Sequence, residues 1–369
     1  MITPSLSFTH DDYRVACICP MGLEQAPLEA MLDTTHPSLS YNRDQNSYTL
    51  GRMGVHNIVI AAMPEIGNNN AAAVATQLLN DFPCIRFSLL VGIGGGVPDM
   101  DRNVDIRLGD LVVSSPFGTY GGVVQFDRGK ILSGGRYERV GMLQKPPGVL
   151  LASVKRLQSL HMRADSQIPT ILADMIRRFP KMETGNYVHQ GAKDDRLFQA
   201  AFEHRGGDDC RQCDPGKTIQ RAPRTSWAPV SHYGTIGSLN SVIKDSATRD
   251  RLKDDFNVLC VEAEAAGLMD SFPCLVIRGI CDYADSHKSK VWQPYAAATA
   301  AAYAKELLSL VPPLNEPSSA QAEEGSSRAK GRATITTGNV LNLVNGSFTG
   351  DMVGGDKVCG NKVLQSKWR

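Results

Sequence analysis

The sequence has no long apolar run, no secretory leader pattern and almost no net charge. No stretch approaches the roughly 18 apolar residues that a helix needs to cross a bilayer. The first residues, MITPSLSFTHDDYRV, show no basic segment followed by an apolar one. A formal net charge of +1 over 369 residues creates no general attraction for nucleic acid or for a membrane surface. We therefore expect a cytoplasmic protein without nucleic-acid or membrane partners.

The sequence also lacks the regular cysteine spacing of a disulfide framework. Its nine cysteines are an odd number, and many lie within apolar runs, which is typical of reduced thiols. Cys210 and Cys213, with His204 nearby, resemble part of a zinc site. Because one Cys-x-x-Cys pair without a second is a weak signal, the sequence favours no bound metal. No motif indicates a cofactor.

Short apolar runs alternate with helical patterns, which predicts a mixed α/β sheet rather than a sandwich. Strands are expected at SLLVGIGGGV (88–97) and PCLVIRGICDYAD (273–285), and helices at 70–80 and 295–310. The segment 181–230 is rich in Gly, Arg, Asp and Pro. We interpret that segment as a surface insertion with long loops and short elements.

Four glycines, Gly92, Gly94, Gly95 and Gly96, follow the apolar run at 88–91 and predict a glycine-rich turn. No Gly-Lys-Ser/Thr follows them, as it would in a Walker loop, and their spacing differs from the dinucleotide fingerprint. The turn is either a tight connection or a place where backbone amides approach an anion or a sugar.

Acidic residues follow two of the predicted strands. The segment VLCVEAEAAGLMD contains Glu262 and Glu264. In one interpretation, one of them is solvated and the other caps the following helix. In the other, one carboxylate accepts hydrogen bonds from the paired hydroxyls of a ribose. Arg278, Asp282 and Asp285 lie at the carboxyl end of a strand, where α/β sheets bind ligands. Asp285 fits a helix cap, whereas we favour general acid chemistry for Asp282.

The ordered motifs GIGGGV, VEAEAAGLM and IRGICDYAD together resemble the nucleoside phosphorylase/nucleosidase superfamily. The pattern is most similar to 5′-methylthioadenosine/S-adenosylhomocysteine nucleosidase and to related domains of fungal immune-type proteins. The resemblance covers residues 13–311, and only the fungal subgroup matches the insertion. It implies a single α/β domain with a mixed, twisted central sheet flanked by helices. It also implies cleavage of a purine nucleoside or nucleotide, in a chain that often forms a homo-oligomer.

The resemblance also implies roles for individual residues. Glu264 would hold the ribose 2′- and 3′-hydroxyls, and Asp282 would protonate purine N7. Arg278 would orient that aspartate. Glu24 would activate water, although its local pattern fits an ordinary first-turn glutamate. The ribose and nucleophile side would be lined by Gly94 and Gly95.

Several positions depart from the family pattern. In the base pocket, Ala263 stands where nucleosidases carry Met, and Val242 replaces a stacking Phe. Ile93 and Leu90 stand where phosphorylases carry a hydroxyl and an arginine for phosphate. These losses favour hydrolysis, with a phosphate-dependent phosphorylase as the alternative.

The insertion carries many cations, which form either an ordinary solvated surface or a phosphate site. Arginine forks suit phosphate oxygens, so Arg221, Arg224 and Lys193 are candidate phosphate ligands. An ATP-class adenine nucleotide would then be favoured over a free nucleoside, and the enzyme would suit an immune or cell-death effector.

The composition changes at Val311, which predicts a disordered linker at 312–333 and a β-prone, low-complexity tail at 334–369. The tail is either a disordered terminus or resembles the amyloid-type signalling motifs of fungal immune proteins. In the second case it would self-assemble or pair with a partner. The whole chain would then act as a signalling or interaction protein, which is a further alternative to an enzyme.

Overall fold

The computed structural model of the chain describes residues 8–40, 46–133, 137–206 and 209–313. The predicted tail at 334–369 lies outside the described residues, as does all but the start of the predicted linker at 312–333.

The described residues form twelve strands and eight α-helices. The strands are β1 Val15–Cys19, β2 Thr34–Thr35, β3 Ser47–Met53, β4 His56–Ala62, β5 Phe87–Gly96, β6 Leu111–Ser114, β7 Val123–Gln125, β8 Gly129–Ile131, β9 Tyr137–Arg139, β10 Ser231–Ser238, β11 Val258–Glu262 and β12 Cys274–Asp282. The helices are α1 Gly22–Ala30, α2 Asn68–Asp81, α3 Gly148–His161, α4 Ile168–Arg178, α5 Lys181–Thr184, α6 Ser246–Phe256, α7 Ala265–Met269 and α8 Gln293–Leu308.

Ten strands make one mixed sheet in the order β11-β10-β6-β12-β5-β1-β4-β3-β2, with β7 added beside β10. The fully buried β5 pairs in parallel with β1 and β12, and its last residues pair antiparallel with β11. Since β11 is also linked to β12 through β10 and β6, five strands close into a ring. The closure brings the carboxyl ends of β5, β11 and β12 close together.

Helices cover both faces of the sheet. Helices α1, α3, α4 and α8 share one apolar core with the sheet, and α2 and α7 share the other. The predicted α/β fold with a mixed central sheet flanked by helices is therefore confirmed. None of the helices in the described part of the chain combines the length and apolar character needed to traverse a bilayer.

The glycine cluster differs from the prediction of a turn. Gly92, Gly94, Gly95 and Gly96 all belong to β5, and none of them has a positive φ. They are required because neighbouring groups approach the backbone closely. A Cβ on Gly94 would lie 2.5 Å from the Cys260 sulfur. The glycines therefore make room for side chains from other strands.

Local residues fix the boundaries of several elements. The hairpin β3–β4 turns at Gly54, whose φ is +61°. Helix α2 follows Gly67 and begins at Asn68, two residues before the predicted start at 70. Helix α6 begins at Ser246, because the Asp245 side chain caps it by accepting from the Thr248 amide at 2.8 Å.

Helix α8 lies directly on β12 because both elements offer small residues at the contact. A Cβ on Gly279 of β12 would overlap the carbonyl oxygen of Ala296 in α8. The alanines of α8 thus let the helix backbone approach the sheet, and this contact supports the strand that carries Arg278 and Asp282.

We predict that Gly279→Ala lowers the free energy of unfolding by about 1–3 kcal/mol, because the added methyl group overpacks a rigid helix–strand contact. Urea denaturation monitored by circular dichroism would measure the change. Gly148→Ala is the matched control, since its Cβ would meet nothing within 4 Å. Equal stabilities of the two variants would contradict the close-packing argument.

Candidate active site

One cavity lies where the carboxyl ends of β1, β5, β10, β11 and β12 converge. We call it the strand-end cavity. Eight residues predicted from the sequence line it together: Glu24, Gly94, Gly95, Val242, Ala263, Glu264, Arg278 and Asp282. Further lining comes mainly from Pro20, Met21, Ile66, Ile93, Leu239, Ser241, Ile243, Val261, Glu262, Cys281, Ala284, Lys288 and Gln293. The cavity is thus apolar over much of its surface, with carboxylates at selected positions.

The guanidinium of Arg278 organises the acidic residues. Its Nη2 contacts the carboxylates of Glu262 and Glu264, the latter at 2.8 Å, and its Nη1 lies 3.9 Å from a Glu24 oxygen. Arg278 is 1% exposed, so burial opposes its charge, yet the surrounding glutamates raise its pKa above the usual value. Gly92 makes this possible, because any Cβ there would overlap both Arg278 and Glu24.

Glu24 is held at the start of α1 by backbone amides. Its carboxylate accepts from the amides of Met21 and Ile93, both at 2.7 Å. Burial is the largest influence on this group. It outweighs Arg278 and the amide donors and, with the nearby Glu264 charge, raises the pKa of Glu24 to about 8. Glu24 therefore titrates near neutral pH, as a general base requires.

Glu262 and Glu264 have different environments. Glu262 accepts from the amides of Glu264 and Ala265, at 3.0 and 2.9 Å, which fixes the entry to α7. Glu264 faces the cavity, and burial followed by the Glu262 charge raises its pKa despite Arg278. Neither residue is solvated. Glu262 caps the entry to α7, whereas Glu264 lines the cavity with its carboxylate paired to Arg278. The role of Glu264 in binding ribose stays a prediction.

Asp282 has a partner that differs from the expected one. Its Oδ2 lies 2.7 Å from the ammonium of Lys288, and its Oδ1 accepts from the Ala284 amide at 2.9 Å. Although burial alone would lower the pKa of Lys288, Asp282 outweighs it and raises that pKa. Among the described residues, Arg278 makes no ion pair with Asp282, so the predicted orienting contact is wrong. Arg278 forms ion pairs with Glu262 and Glu264 instead.

Glu24 and Asp282 lie beside different residues of β5. A Cβ on Gly92 would meet Glu24, whereas a Cβ on Gly95 would lie 2.9 Å from Asp282. The two glycines are three residues apart on one strand, which corresponds to about 10 Å. Both carboxylates line the strand-end cavity.

Three of the four residues that depart from the family pattern line the strand-end cavity, and the fourth lies in the core. Val242 is 53% exposed and lies at the cavity mouth, and Ala263 lies within the lining. Ile93 borders the cavity, but Leu90 is fully buried in the core. Neither Ile93 nor Leu90 supplies a polar group to the cavity.

The predicted phosphate ligands lie elsewhere. Arg224 donates to both oxygens of the buried Asp110 at 2.6 Å. Arg221 contacts Asp195 at 3.0 Å and the Tyr283 hydroxyl at 2.8 Å. Lys193 is exposed. None of these cations lines the strand-end cavity, and both arginines anchor the insertion to the sheet, which corrects the expected phosphate contacts.

Sequence reasoning missed Lys288 and Cys281. Lys288 follows Asp282 by six residues in the loop after β12, and Cys281 precedes Asp282 and donates to it at 3.0 Å. A lysine close behind a strand-end aspartate is a local signal that could have indicated the pair. The return of the loop to the cavity, however, is visible only in the structure.

Comparisons with known proteins place this site in context. The chain is 44% identical over 310 residues to a nucleotide-binding leucine-rich repeat (NLR)-like protein of Hyaloscypha variabilis, covering 83% of this chain and 30% of that protein. It is 24% identical over 250 residues to ATP nucleosidase Cap17 of Escherichia coli, covering 66% of this chain and 39% of the relative. The chain thus spans between 30% and 39% of the length of these relatives.

Solved structures share the fold. A 5′-methylthioadenosine/S-adenosylhomocysteine nucleosidase from Neisseria meningitidis, in complex with methylthio-immucillin-A, superposes with a TM-score of 0.51 at 18% identity. The match covers 80% of this chain and 98% of that one. The family model of the phosphorylase superfamily matches residues 14–311, which contain all three predicted motifs and the strand-end cavity. The chain therefore belongs to the phosphorylase superfamily.

Proposed function

We propose that this chain hydrolyses the N-glycosidic bond between a purine base and ribose. The observation that carries the proposal is that Asp282, Glu24 and Glu264 line one cavity, with Glu24 and Asp282 beside different residues of β5. The fold family and the relatives named as nucleosidases support the same reaction.

In the proposed reaction the bond between ribose C1′ and purine N9 breaks, and its electron pair leaves with the base. Asp282 delivers a proton to N7, which makes the base a better leaving group. The ammonium of Lys288, 2.7 Å from Asp282, stabilises the aspartate anion that remains after the proton has passed to N7. Glu24 accepts a proton from the water whose oxygen bonds to C1′. The products are the free base and the sugar.

The buried carboxylates favour the positive charge that develops on the ribosyl group. Three carboxyl groups surround a single guanidinium, so acidic groups outnumber the cation in this cluster. Fixed negative groups in a water-poor site stabilise a cationic transition state more strongly than they would in bulk water. Glu264 then holds the ribose hydroxyls.

Water is favoured over phosphate as the nucleophile. Of the described residues that line the cavity, two are basic, Arg278 and Lys288, and both are paired with carboxylates. A phosphate dianion would lie beside Glu24 and Glu264 without a free cation. Water needs only the base at Glu24.

For the substrate we propose an adenine nucleotide such as ATP, acted on within an immune or cell-death response. Support comes from similarity to a relative named ATP nucleosidase and to an NLR-like protein. Arg221 and Arg224 do not support this choice, because they form salt bridges with Asp195 and Asp110.

The first experiment identifies the products. The full chain, given ATP in phosphate-free buffer, is expected to release adenine and ribose 5′-triphosphate, resolved by chromatography. In ¹⁸O-labelled water the label should appear in the ribose product. Because Glu264 faces the ribose hydroxyls in this proposal, 2′-deoxyadenosine triphosphate should react more slowly. Adenosine and methylthioadenosine are the parallel substrates.

Two results would contradict separate parts of the proposal. Strict dependence on phosphate, with ribose 1-phosphate as product, would establish the phosphorylase alternative. Faster cleavage of adenosine than of ATP at equal low concentration would remove the nucleotide preference and leave the glycosidase activity in place.

We predict that Asp282→Asn lowers turnover by about 10²–10⁴-fold, because the amide is nearly isosteric but cannot deliver the proton. The measurement is adenine release under saturating substrate, with circular dichroism to verify folding. Asp254→Asn is the control, since the Asp254 side chain is 68% exposed. A folded Asp282→Asn chain with near-normal turnover would show that another group is the acid.

Glu24 should determine the alkaline dependence of the reaction. Its raised pKa of about 8 means that the active, ionised base accumulates as pH rises, so kcat/KM should increase from pH 6, reach half its maximum near pH 8 and level off about one pH unit higher. Glu24→Gln should abolish this rise and leave a low, flat profile. Glu29→Gln, farther along the same helix, should keep the wild-type profile. An unchanged rise in the Glu24 variant would exclude Glu24 as the base.

A further inference from the structure

A second cluster of reactive side chains lies in the insertion. His204, Cys210 and Cys213 present Nδ1 and two sulfur atoms that all lie within 4.8 Å of one another. The His204 Nδ1 is 3.8 Å from the Cys210 sulfur and 3.2 Å from the Cys213 sulfur. Both thiols are free, and Cys213 is 4% exposed.

These distances fit a single tetrahedral zinc ion. With Zn–S near 2.3 Å and Zn–N near 2.05 Å, tetrahedral angles place a sulfur and a nitrogen ligand about 3.6 Å apart. The two observed separations lie on either side of that value. One imidazole and two thiolates are also the soft donor set that zinc prefers.

Local hydrogen bonds hold this arrangement before any metal arrives. Asp209 accepts from the Arg211 amide at 3.0 Å, which starts the turn, and the Cys213 amide donates to the Cys210 carbonyl at 3.1 Å. Arg196 donates to the same carbonyl at 3.1 Å. The two sulfur atoms therefore converge through backbone geometry.

The geometry points to a zinc site formed by His204, Cys210 and Cys213, which fixes the local fold of the insertion beside the loop after β12. The His204 amide donates to the Ser286 hydroxyl at 2.9 Å, and without metal the Cys210 thiol donates to the His287 carbonyl at 3.8 Å. Zinc takes the place of that thiol proton, whereas the His204 amide contact is kept. The next residue of that loop is Lys288. The zinc site thus lies against the segment that carries the partner of Asp282.

A metal clip suits the insertion because few of its residues are buried. Between 185 and 230 the buried residues are Leu197, Phe198 and Cys213 within the described positions. A segment with so little core gains stability from metal ligation, which contributes directly to folding free energy. Three ligands leave a fourth position for water.

The site is tested by metal binding, independently of the proposed activity. The full chain is purified under reducing conditions and passed over a chelator column. It is then titrated with Zn²⁺, and bound zinc is measured by inductively coupled plasma mass spectrometry. We expect about one zinc per chain. Titration with Co²⁺ should give thiolate-to-cobalt charge-transfer absorption, which reports sulfur ligation in the unaltered chain. Zinc should also slow proteolysis within 189–225.

Variants assign the ligands. Cys210→Ser combined with Cys213→Ser should reduce bound zinc to below about a tenth per chain and abolish the cobalt absorption. Cys84→Ser is the matched control, because Cys84 is a free, half-buried thiol outside the cluster. The cobalt measurement on the unaltered chain does not depend on the folding of any variant.

Three outcomes would overturn the site. The first is no zinc bound by a chain whose nine thiols all titrate as reduced after unfolding. The second is a disulfide between Cys210 and Cys213 in place of metal. The third is equal zinc in the double variant and in Cys84→Ser.

Discussion

The buried guanidinium of Arg278 is the group on which the site depends. Without it, Glu24, Glu262 and Glu264 would bring three negative charges together in a region that water hardly reaches. Removing one partner from such a cluster costs several kcal/mol, about 3–5 for a typical buried pair. Arg278 lies on β12, so the charge balance of the site is established by the central sheet.

The surrounding backbone is shaped to accommodate this cluster. Gly92 leaves space for Arg278 and Glu24, and Gly95 leaves space beside Asp282. Closure of the sheet between β5 and β11 then brings Glu262 and Glu264 to the same cavity. Glycine in β5 is therefore a steric requirement of the site, and the loss of side-chain packing at these positions is offset by buried charge pairing.

The insertion follows a different principle. Its arginines serve as anchors. Arg224, together with His232 of β10, bonds to the carboxylate of Asp110, and these hydrogen bonds outweigh burial and lower the pKa of Asp110. Its histidine and cysteines form the second cluster. The insertion thus holds to the sheet through polar contacts at several points, and one of them adjoins the loop of Lys288.

The sequence by itself determined the mixed α/β fold, the three motifs and eight of the residues that line the cavity. These are local signals: apolar runs define strands, and the ends of strands collect at one edge of a sheet. Tertiary structure alone decided which charges pair. Arg224 and Asp110 are 114 residues apart, and Arg278 meets glutamates rather than Asp282. Ion pairs form between residues that folding brings within a few ångströms, and sequence patterns contain no measure of that distance.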